Sequence, residues 1–183
     1  MKMNWHEKKK ALVKGIVSIL LLSLTSISVQ AKSKPSLVET EAYIEGFVSK
    51  YTRCVGSEEH VSSISVKDGK IDYTRKVYLS PEQYFISKAQ ISILDVGELE
   101  IFKDPDSTCS STFLSCSGRV NCVKEQRLKG AGLPTEERSD TTNFLAIDTS
   151  ADLETLQKLV RALKHYNGLH GGVLTEGFDE DKF

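Results

Sequence analysis

The side chains best suited to chemistry in this sequence are four cysteines and three histidines. They are Cys54, Cys109, Cys116 and Cys122 with His60, His165 and His170, all beyond the first 31 residues. Thiols form disulfides or bind soft metals, and imidazoles bind metals or transfer protons. These residues could form disulfide bridges, a metal site or a catalytic group, and their spacing indicates which of these roles is favoured.

The first 31 residues have the layout of a secretory signal peptide. Five lysines between Met1 and Lys14 precede an apolar run over residues 15–27, and Val29-Gln30-Ala31 offers small or apolar residues where a signal peptidase reads. A membrane anchor is the alternative, but the run is shorter than the roughly 20 residues that span a bilayer. We therefore expect cleavage after Ala31 and an exported protein, periplasmic or secreted, without stable membrane insertion.

An even number of cysteines in an exported chain most simply makes two disulfides. Three pairings are possible. We favour Cys116 with Cys122, because Ser117-Gly118 predicts a turn between them, which leaves Cys54 with Cys109. A metal site made from the last three cysteines and a histidine is the alternative, but their spacing lacks the two-residue pairs of zinc knuckles. We predict neither a metal nor a cofactor.

The histidines lie in segments without a recognisable catalytic motif. His60 follows two glutamates in a predicted polar turn, His165 lies on the polar side of a predicted helix, and His170 precedes two glycines. The sequence holds no nucleophile elbow, zinc-protease motif, phosphate loop or dinucleotide fingerprint. We predict no catalytic residue. The alternative is a small secreted hydrolase that uses His60, His170 and an acidic partner, which requires a histidine in a cleft beside a carboxylate or hydroxyl.

Composition limits the partners of the exported part. Residues 32–183 hold 19 lysines and arginines against 24 aspartates and glutamates, which gives a formal charge of −5. A nucleic-acid binder would need a basic surplus, so nucleic acid is excluded as a partner. We interpret the basic row Lys158, Arg161 and Lys164 as a solvated helix face rather than a binding site.

Two amphipathic helices are predicted near the ends of the exported part. The first runs from Ser36 to about Lys50 and starts with a capping pair. The second runs from Thr149 to Gly168, with apolar residues at steps of three and four. Thr149 and Asp152 are its predicted cap, Gly168 its end, and Leu169 is expected to fold back on the helix.

Between the helices the pattern predicts β-hairpins. Ile64 and Val66 alternate with serines before the turn Asp68-Gly69, and Ile71 and Tyr73 alternate after it, so Val66 should face Ile71 and Ile64 should face Tyr73. The second of these strands is expected to continue to Leu79.

A second hairpin, a helical turn, a last strand and two mobile segments complete the predicted order. The hairpin joins residues 91–93 to 99–101 around Asp95-Val96-Gly97, and the helical turn covers residues 80–83. Residues 144–147 form the last strand. We expect residues 124–142 to be a mobile loop and residues 173–183 a flexible acidic tail.

The predicted fold is α+β, with an antiparallel β-sandwich or bent sheet, an N-terminal helix and a C-terminal capping helix over residues 32–172. From about Tyr51 to Gly172 this order of elements resembles small exported bacterial proteins and, more distantly, the PH-like design of a bent β-sandwich closed by a C-terminal helix. The resemblance implies the fold alone. Because no basic lipid-binding loop is visible, it implies no phosphoinositide binding.

For function, the sequence favours an exported, non-catalytic module that binds a protein, a peptide or a glycan at the cell envelope or outside the cell. The small secreted hydrolase remains the alternative. The identity of the envelope or extracellular partner is left open, because no motif in the chain specifies a ligand.

The first prediction concerns processing. Because Val29-Gln30-Ala31 is a cleavage signal, exported material should begin at Lys32, and N-terminal sequencing would read Lys-Ser-Lys-Pro. A soluble exported fraction that begins at Met1 would contradict it.

Overall fold

The structure is a computed structural model that describes residues 33–55, 58–103, 107–128, 130–131 and 137–174. The predicted signal peptide and most of the predicted acidic tail lie outside these residues. From Pro35 onward the described chain is α+β, with two antiparallel sheets, one helix before them and one after them, and no closed barrel. The predicted fold class is confirmed.

The elements follow one another in a simple order. They are α1 (Leu37–Lys50), β1 (Arg53–Val55), β2 (Glu59–Lys67), β3 (Lys70–Ser80), β4 (Gln83–Ser92), a 3₁₀ turn (Ile93–Asp95), β5 (Val96–Lys103), β6 (Ser110–Cys116), a second 3₁₀ turn (Ser117–Arg119), β7 (Val123–Leu128), β8 (Arg138–Thr142), β9 (Phe144–Thr149) and α2 (Leu153–Leu169). One sheet has six strands in the order β1-β2-β3-β4-β7-β8, and the other has three in the order β5-β6-β9.

The hairpin of β2 and β3 has the predicted register. Val66 pairs with Ile71 and Ile64 with Tyr73. Asp68 and Gly69 form its turn with positive φ angles of 51° and 76°, which aspartate tolerates and glycine adopts without steric cost. β3 continues to Ser80, one residue beyond the predicted limit.

The second predicted hairpin is wrong. β4 ends at Ser92, and the chain then makes a 3₁₀ turn that buries Ile93 and passes to the other sheet, where β5 pairs with β6. Alternating residues on both sides of a turn indicate two strands. They do not show that the two strands pair with each other, because the turn can also lead the second strand into a different sheet, as the buried Ile93 does here.

Two further local predictions are wrong. Residues 80–83 are not a helical turn, because β3 and β4 pair up to Ser80 and Gln83 and only two residues connect them. Residues 124–142 are not simply a loop, since β7 and β8 occupy its described ends and pair with each other. Most side chains of these two strands are exposed. Backbone ladder bonds therefore define strands that the apolar pattern does not show.

The two helices pack together and share the core with both sheets. Helix α1 starts with the predicted capping box of Ser36 and Glu39 and buries Ile44 and Val48. The predicted apolar stripe of α2 is buried except at its first member, Leu153, which is partly exposed; the buried members are Leu156, Leu159, Val160, Leu163 and Tyr166. A helix with one apolar stripe depends on such packing for its stability.

The predicted ends of α2 need correction. Thr149 belongs to β9 and is buried, and the cap is Asp152, whose side chain accepts a hydrogen bond of 2.7 Å from the Thr155 amide. The helix passes Gly168 and ends at Leu169, which is 43 % exposed and lies outside the core. Gly171, with a φ of 81°, supplies the left-handed residue after the helix.

The cysteines are joined in the pairing that the sequence favours. Cys54 and Cys109 have Cα atoms 4.9 Å apart and connect β1 of the six-stranded sheet with the segment before β6 of the three-stranded sheet. Cys116 and Cys122, 5.8 Å apart, close the loop around the second 3₁₀ turn. The disulfides indicate an oxidising compartment outside the cytoplasm. Within the described ranges, no helix is long and apolar enough to cross a membrane.

The second prediction compares the two bridges. In the chain-entropy picture a bridge between residues 55 positions apart stabilises by about 4.2 kcal/mol and one between residues 6 positions apart by about 2.4 kcal/mol. Changing Cys54 and Cys109 together to alanine should therefore lower the melting temperature more than changing Cys116 and Cys122 together. Differential scanning calorimetry of both variants measures this, and equal losses would contradict the entropic ranking.

Candidate functional site

A charged side chain on the inner face of β3 leads to a partly buried polar cluster. Ile71, Tyr73 and Val77 of this strand are buried, and alternation places Arg75 on the same face. A guanidinium that enters a core face needs a partner, because an unpaired buried charge is costly. The partner is Asp148 at the end of β9, whose Oδ2 lies 2.6 Å from Arg75 Nη1.

The carboxylate of Asp148 is the centre of this cluster, which we call the Asp148 clasp and which comprises His60, Tyr73, Arg75, Ser111 and Asp148. Ser111 donates a hydrogen bond of 2.6 Å to Asp148 Oδ1, and His60 Nδ1 lies 3.5 Å from Asp148 Oδ2. The Asp148 amide donates to the Tyr73 hydroxyl at 2.9 Å. Because β2 and β3 belong to one sheet and β6 and β9 to the other, the clasp joins the two sheets.

The contacts of the clasp outweigh the cost of burying its charges. Burial alone raises the pKa of Asp148, but His60, Ser111 and Arg75 stabilise the carboxylate and hold its pKa below the usual 3.8. Burial disfavours the charged guanidinium of Arg75, and Asp148 reverses that effect, so the pKa of Arg75 is raised. Burial, followed by the charge of Asp148, raises the pKa of Tyr73 to about 12. The pair Arg75–Asp148 is therefore ionised at neutral pH.

Of the three candidate histidines, the structure brings only His60 beside a carboxylate. His60 lies within β2 rather than in a turn, and its side chain is 18 % exposed, between Asp148 and Glu58, whose Oε2 is 3.6 Å from His60 Nε2. His165 contacts the Pro35 carbonyl oxygen at 2.8 Å. His170 packs edge-on against Tyr166, with ring centres 4.7 Å apart. The three residues therefore do not form one site.

The clasp contains the three residue types of a serine hydrolase triad, Ser111, His60 and Asp148, but they are not connected as in a triad. A serine nucleophile needs its hydroxyl hydrogen-bonded to the imidazole that removes its proton. Here Ser111 donates to Asp148 instead. Among the hydrogen bonds of the described residues, none joins a hydroxyl to a histidine. The arrangement fits a structural clasp better than an acyl-transfer site.

Next to the clasp, the three-stranded sheet presents an aromatic surface, which we call the aromatic face and define by Phe102, Phe113 and Phe144. The ring centres of Phe102 and Phe113 are 6.4 Å apart, and those of Phe113 and Phe144 are 5.6 Å apart. Phe102 is 57 % exposed and Phe144 44 %. Exposed aromatic rings that contact one another form a patch rather than isolated surface residues.

The register of the sheet shows that the clasp and the aromatic face are continuous. Phe102 pairs with Ser111, and Ser111 pairs with Asp148, so the three residues form one row across β5, β6 and β9. Neighbouring strands are about 4.8 Å apart, which places Phe102 about 10 Å from Asp148 along that row. Alternation along β5 puts Glu98 and Glu100 on the same face. The surface is therefore aromatic, with acidic residues at one edge and the clasp at one corner.

Two other surfaces are less suited to a specific ligand. The opposite face of the six-stranded sheet bears an open trough of about 800 Å³, but it is lined mainly by exposed polar and charged side chains such as Lys88, Lys124 and Gln126. Ligand sites are usually enclosed and largely apolar. In the basic row of α2, Lys158 is 3.6 Å from Glu154 and half exposed, as in an ordinary solvated helix face.

Comparison of the sequence with protein-family models, and of the chain with curated proteins and solved structures, finds no match. The resemblance to PH-like and small exported bacterial proteins therefore stays a prediction. Sequence reasoning missed Arg75, Asp148 and the aromatic face. The visible signal was Arg75 at a core-facing position of a strand. No local pattern indicated the aromatic face, because its three phenylalanines lie on three different strands. Only the register of those strands brings Phe102, Phe113 and Phe144 together.

The third prediction tests the clasp. Replacing Asp148 by asparagine leaves Arg75 without its counter-charge and should lower the free energy of unfolding by about 3 kcal/mol at pH 7, as seen in chemical denaturation. The pKa of Asp148 is lower in the folded protein than its usual 3.8, so the ionised carboxylate stabilises the fold fully above that pH. The difference in free energy of unfolding between the unchanged protein and the Asp148→Asn variant should therefore shrink as the pH falls below 3.8.

Asp140 provides the matched control. Its ion pair with Arg138, at 2.9 Å, is exposed, so Asp140→Asn should leave the free energy of unfolding at pH 7 unchanged. Equal effects of the two substitutions would contradict the clasp.

Proposed function

We propose that this protein is an exported, non-catalytic binding module whose aromatic face contacts a protein partner at the cell envelope or outside the cell. The observation that carries the proposal is the set of three contacting phenylalanine rings on an exposed sheet face. Exposing such rings to water is unfavourable for an isolated protein, and covering them with a partner removes that cost. Aromatic residues are enriched at protein interfaces for this reason.

The chemistry of the face favours protein over glycan. Phenylalanine has no polar atom on its ring, so the rings offer contact area but no hydrogen bonds to sugar hydroxyls. Glu98 and Glu100 on β5 add negative charge at one edge. The complementary surface is apolar in its centre and carries lysine or arginine beside it, since complementary charge favours association and excludes wrong partners.

The scaffold behind the face is suited to binding because it is fixed. The Asp148 clasp holds the end of β9 against the six-stranded sheet, and the bridge from Cys54 to Cys109 holds the segment that leads into β6. A surface that is already ordered loses little conformational entropy when a partner binds. Both disulfides also support the proposed export, because such bridges persist in oxidising compartments.

The small secreted hydrolase remains the second candidate, and one observation favours it. His60 lies 3.5 Å from the Asp148 carboxylate, as a histidine base and its orienting acid do. Against it, the hydroxyl of Ser111, the serine of the clasp, is hydrogen-bonded to Asp148 rather than to His60. The prediction that none of the histidines supports catalysis therefore stays open to measurement.

The fourth prediction removes the aromatic face. Phe102 and Phe144 replaced together by alanine should reduce capture of the partner by more than tenfold, because aromatic anchors dominate interface energies. The measurement uses the mature protein as bait against exported proteins, and the captured protein is then purified and its dissociation constant determined by calorimetry. Both side chains are half exposed, so the fold should persist, which circular dichroism verifies.

The matched control replaces two exposed leucines that do not belong to the aromatic face. Leu94 in the first 3₁₀ turn is 52 % exposed and Leu169 at the end of α2 is 43 % exposed, and their double replacement by alanine should leave binding unchanged. Equal binding by the phenylalanine variant and the unchanged protein would refute the proposed surface. A partner that proves to be a glycan would contradict the proposal that the ligand is a protein, but the protein would still be a binding module.

A further inference from the structure

We propose that reduction of the bridge between Cys54 and Cys109 converts this corner of the fold into a binding site for a thiophilic cation such as Zn²⁺, with Cys54, Cys109 and His60 as its protein ligands. The proposal does not depend on the proposed partner-binding function, although the bridge and His60 also belong to the scaffold behind the aromatic face. In the oxidised protein the two sulfurs are bonded to each other. Metal binding is therefore conditional on the redox state.

The fold already brings the three donors together. One sulfur or nitrogen atom from each of Cys54, Cys109 and His60 can be chosen so that all three lie within 4.8 Å of one another. Cys54 and His60 are directly opposite in the antiparallel ladder of β1 and β2, so their side chains project from the same face. Cys109 is held nearby by Thr108, whose amide donates 2.9 Å to the Val55 carbonyl oxygen.

The donor set suits zinc or a similar soft to borderline cation. Two thiolates and one imidazole are common zinc ligands, with Zn–S bonds of about 2.3 Å and Zn–N bonds of about 2.0 Å. Tetrahedral ligands around such an ion lie roughly 3.5 to 4 Å from one another by these bond lengths. Once the sulfur–sulfur bond is broken, small movements give that spacing. The fourth position is left to water.

Asp148 has a supporting part in this arrangement. Its carboxylate lies 3.5 Å from His60 Nδ1. A carboxylate beside a ligating histidine fixes the orientation of the ring and increases its basicity. After reduction the corner therefore has two thiols, one histidine and a carboxylate beside the histidine.

Reduction of the Cys54–Cys109 bridge requires two electrons and two protons, and a dithiol can supply both. A dithiol gives two electrons and two protons to the bridge, so that the Cys54–Cys109 sulfur–sulfur bond breaks, two protein thiols form and the reductant becomes a cyclic disulfide. Zn²⁺ then binds both sulfurs as thiolates, and two protons are released. Cys54 is buried and Cys109 is partly exposed, so Cys109 is the sulfur that the reductant attacks.

The second bridge is an internal control. Among the described residues, the set of Cys54, His60 and Cys109 is the one such group of three, and neither Cys116 nor Cys122 belongs to it. Two thiols without a third protein ligand bind zinc more weakly. Reduced Cys116 and Cys122 should therefore contribute little.

The experiment titrates the mature protein with Co²⁺ after anaerobic reduction by dithiothreitol and desalting, and then displaces Co²⁺ with Zn²⁺. Thiolate-to-cobalt charge-transfer absorption and the visible bands of tetrahedral Co²⁺ report the site. The reduced protein and its C116A/C122A variant should bind one equivalent, whereas the oxidised protein should not bind. His60→Gln should weaken binding by more than tenfold, and His165→Gln should leave it unchanged.

Two results would overturn the proposal. One is equal affinity of the H60Q variant and the unchanged protein, which would mean simple chelation by two thiols. The other is loss of binding in C116A/C122A with retention in C54A/C109A. Should C54A/C109A fail to fold, the H60Q comparison decides alone, because that variant keeps both pairs of cysteines.

Discussion

The contact between Arg75 and Asp148 is the interaction on which the rest of this structure depends. It joins the two sheets across 73 positions of sequence, and it is ionised, partly buried and supported by Ser111. Apolar packing alone would hold the sheets together without fixing their relative position, because it is non-directional. A charged contact in which both carboxylate oxygens accept hydrogen bonds permits few relative positions of the two sheets. It therefore orients the face that we propose for binding.

The functional surface follows from this geometry. β9 contributes Asp148 to the clasp and Phe144 to the aromatic face, so one strand connects the fixed corner with the exposed rings. The other face of the same sheet buries Leu114 and Ile147 under the core. A three-stranded sheet with one buried face and one aromatic face is stable as a scaffold and leaves its second surface for a partner.

Local sequence patterns predicted the structure correctly wherever a short segment determines its own conformation. The register around Asp68-Gly69, the capping box at Ser36 and the stripe of α2 were predictable because their causes lie within a few residues. Sheet membership was not, since the turn at Ile93 redirects β5 to another sheet by burying one side chain. The local sequence around Asp148 does not indicate a partner for its carboxylate. Its actual partner, Arg75, is distant in sequence, and only the assembled sheets bring them together.

Hydrogen–deuterium exchange of the mature protein, alone and with its purified partner, tests the central claim most directly. A partner on the aromatic face should slow exchange in β5 and β9, because these strands carry the exposed rings of Phe102 and Phe144. Exchange in β8 and α1 should be unchanged. We expect this pattern at a saturating concentration of the partner. Protection confined to β7 and β8, or along the trough of the six-stranded sheet, would place the binding surface elsewhere and contradict it.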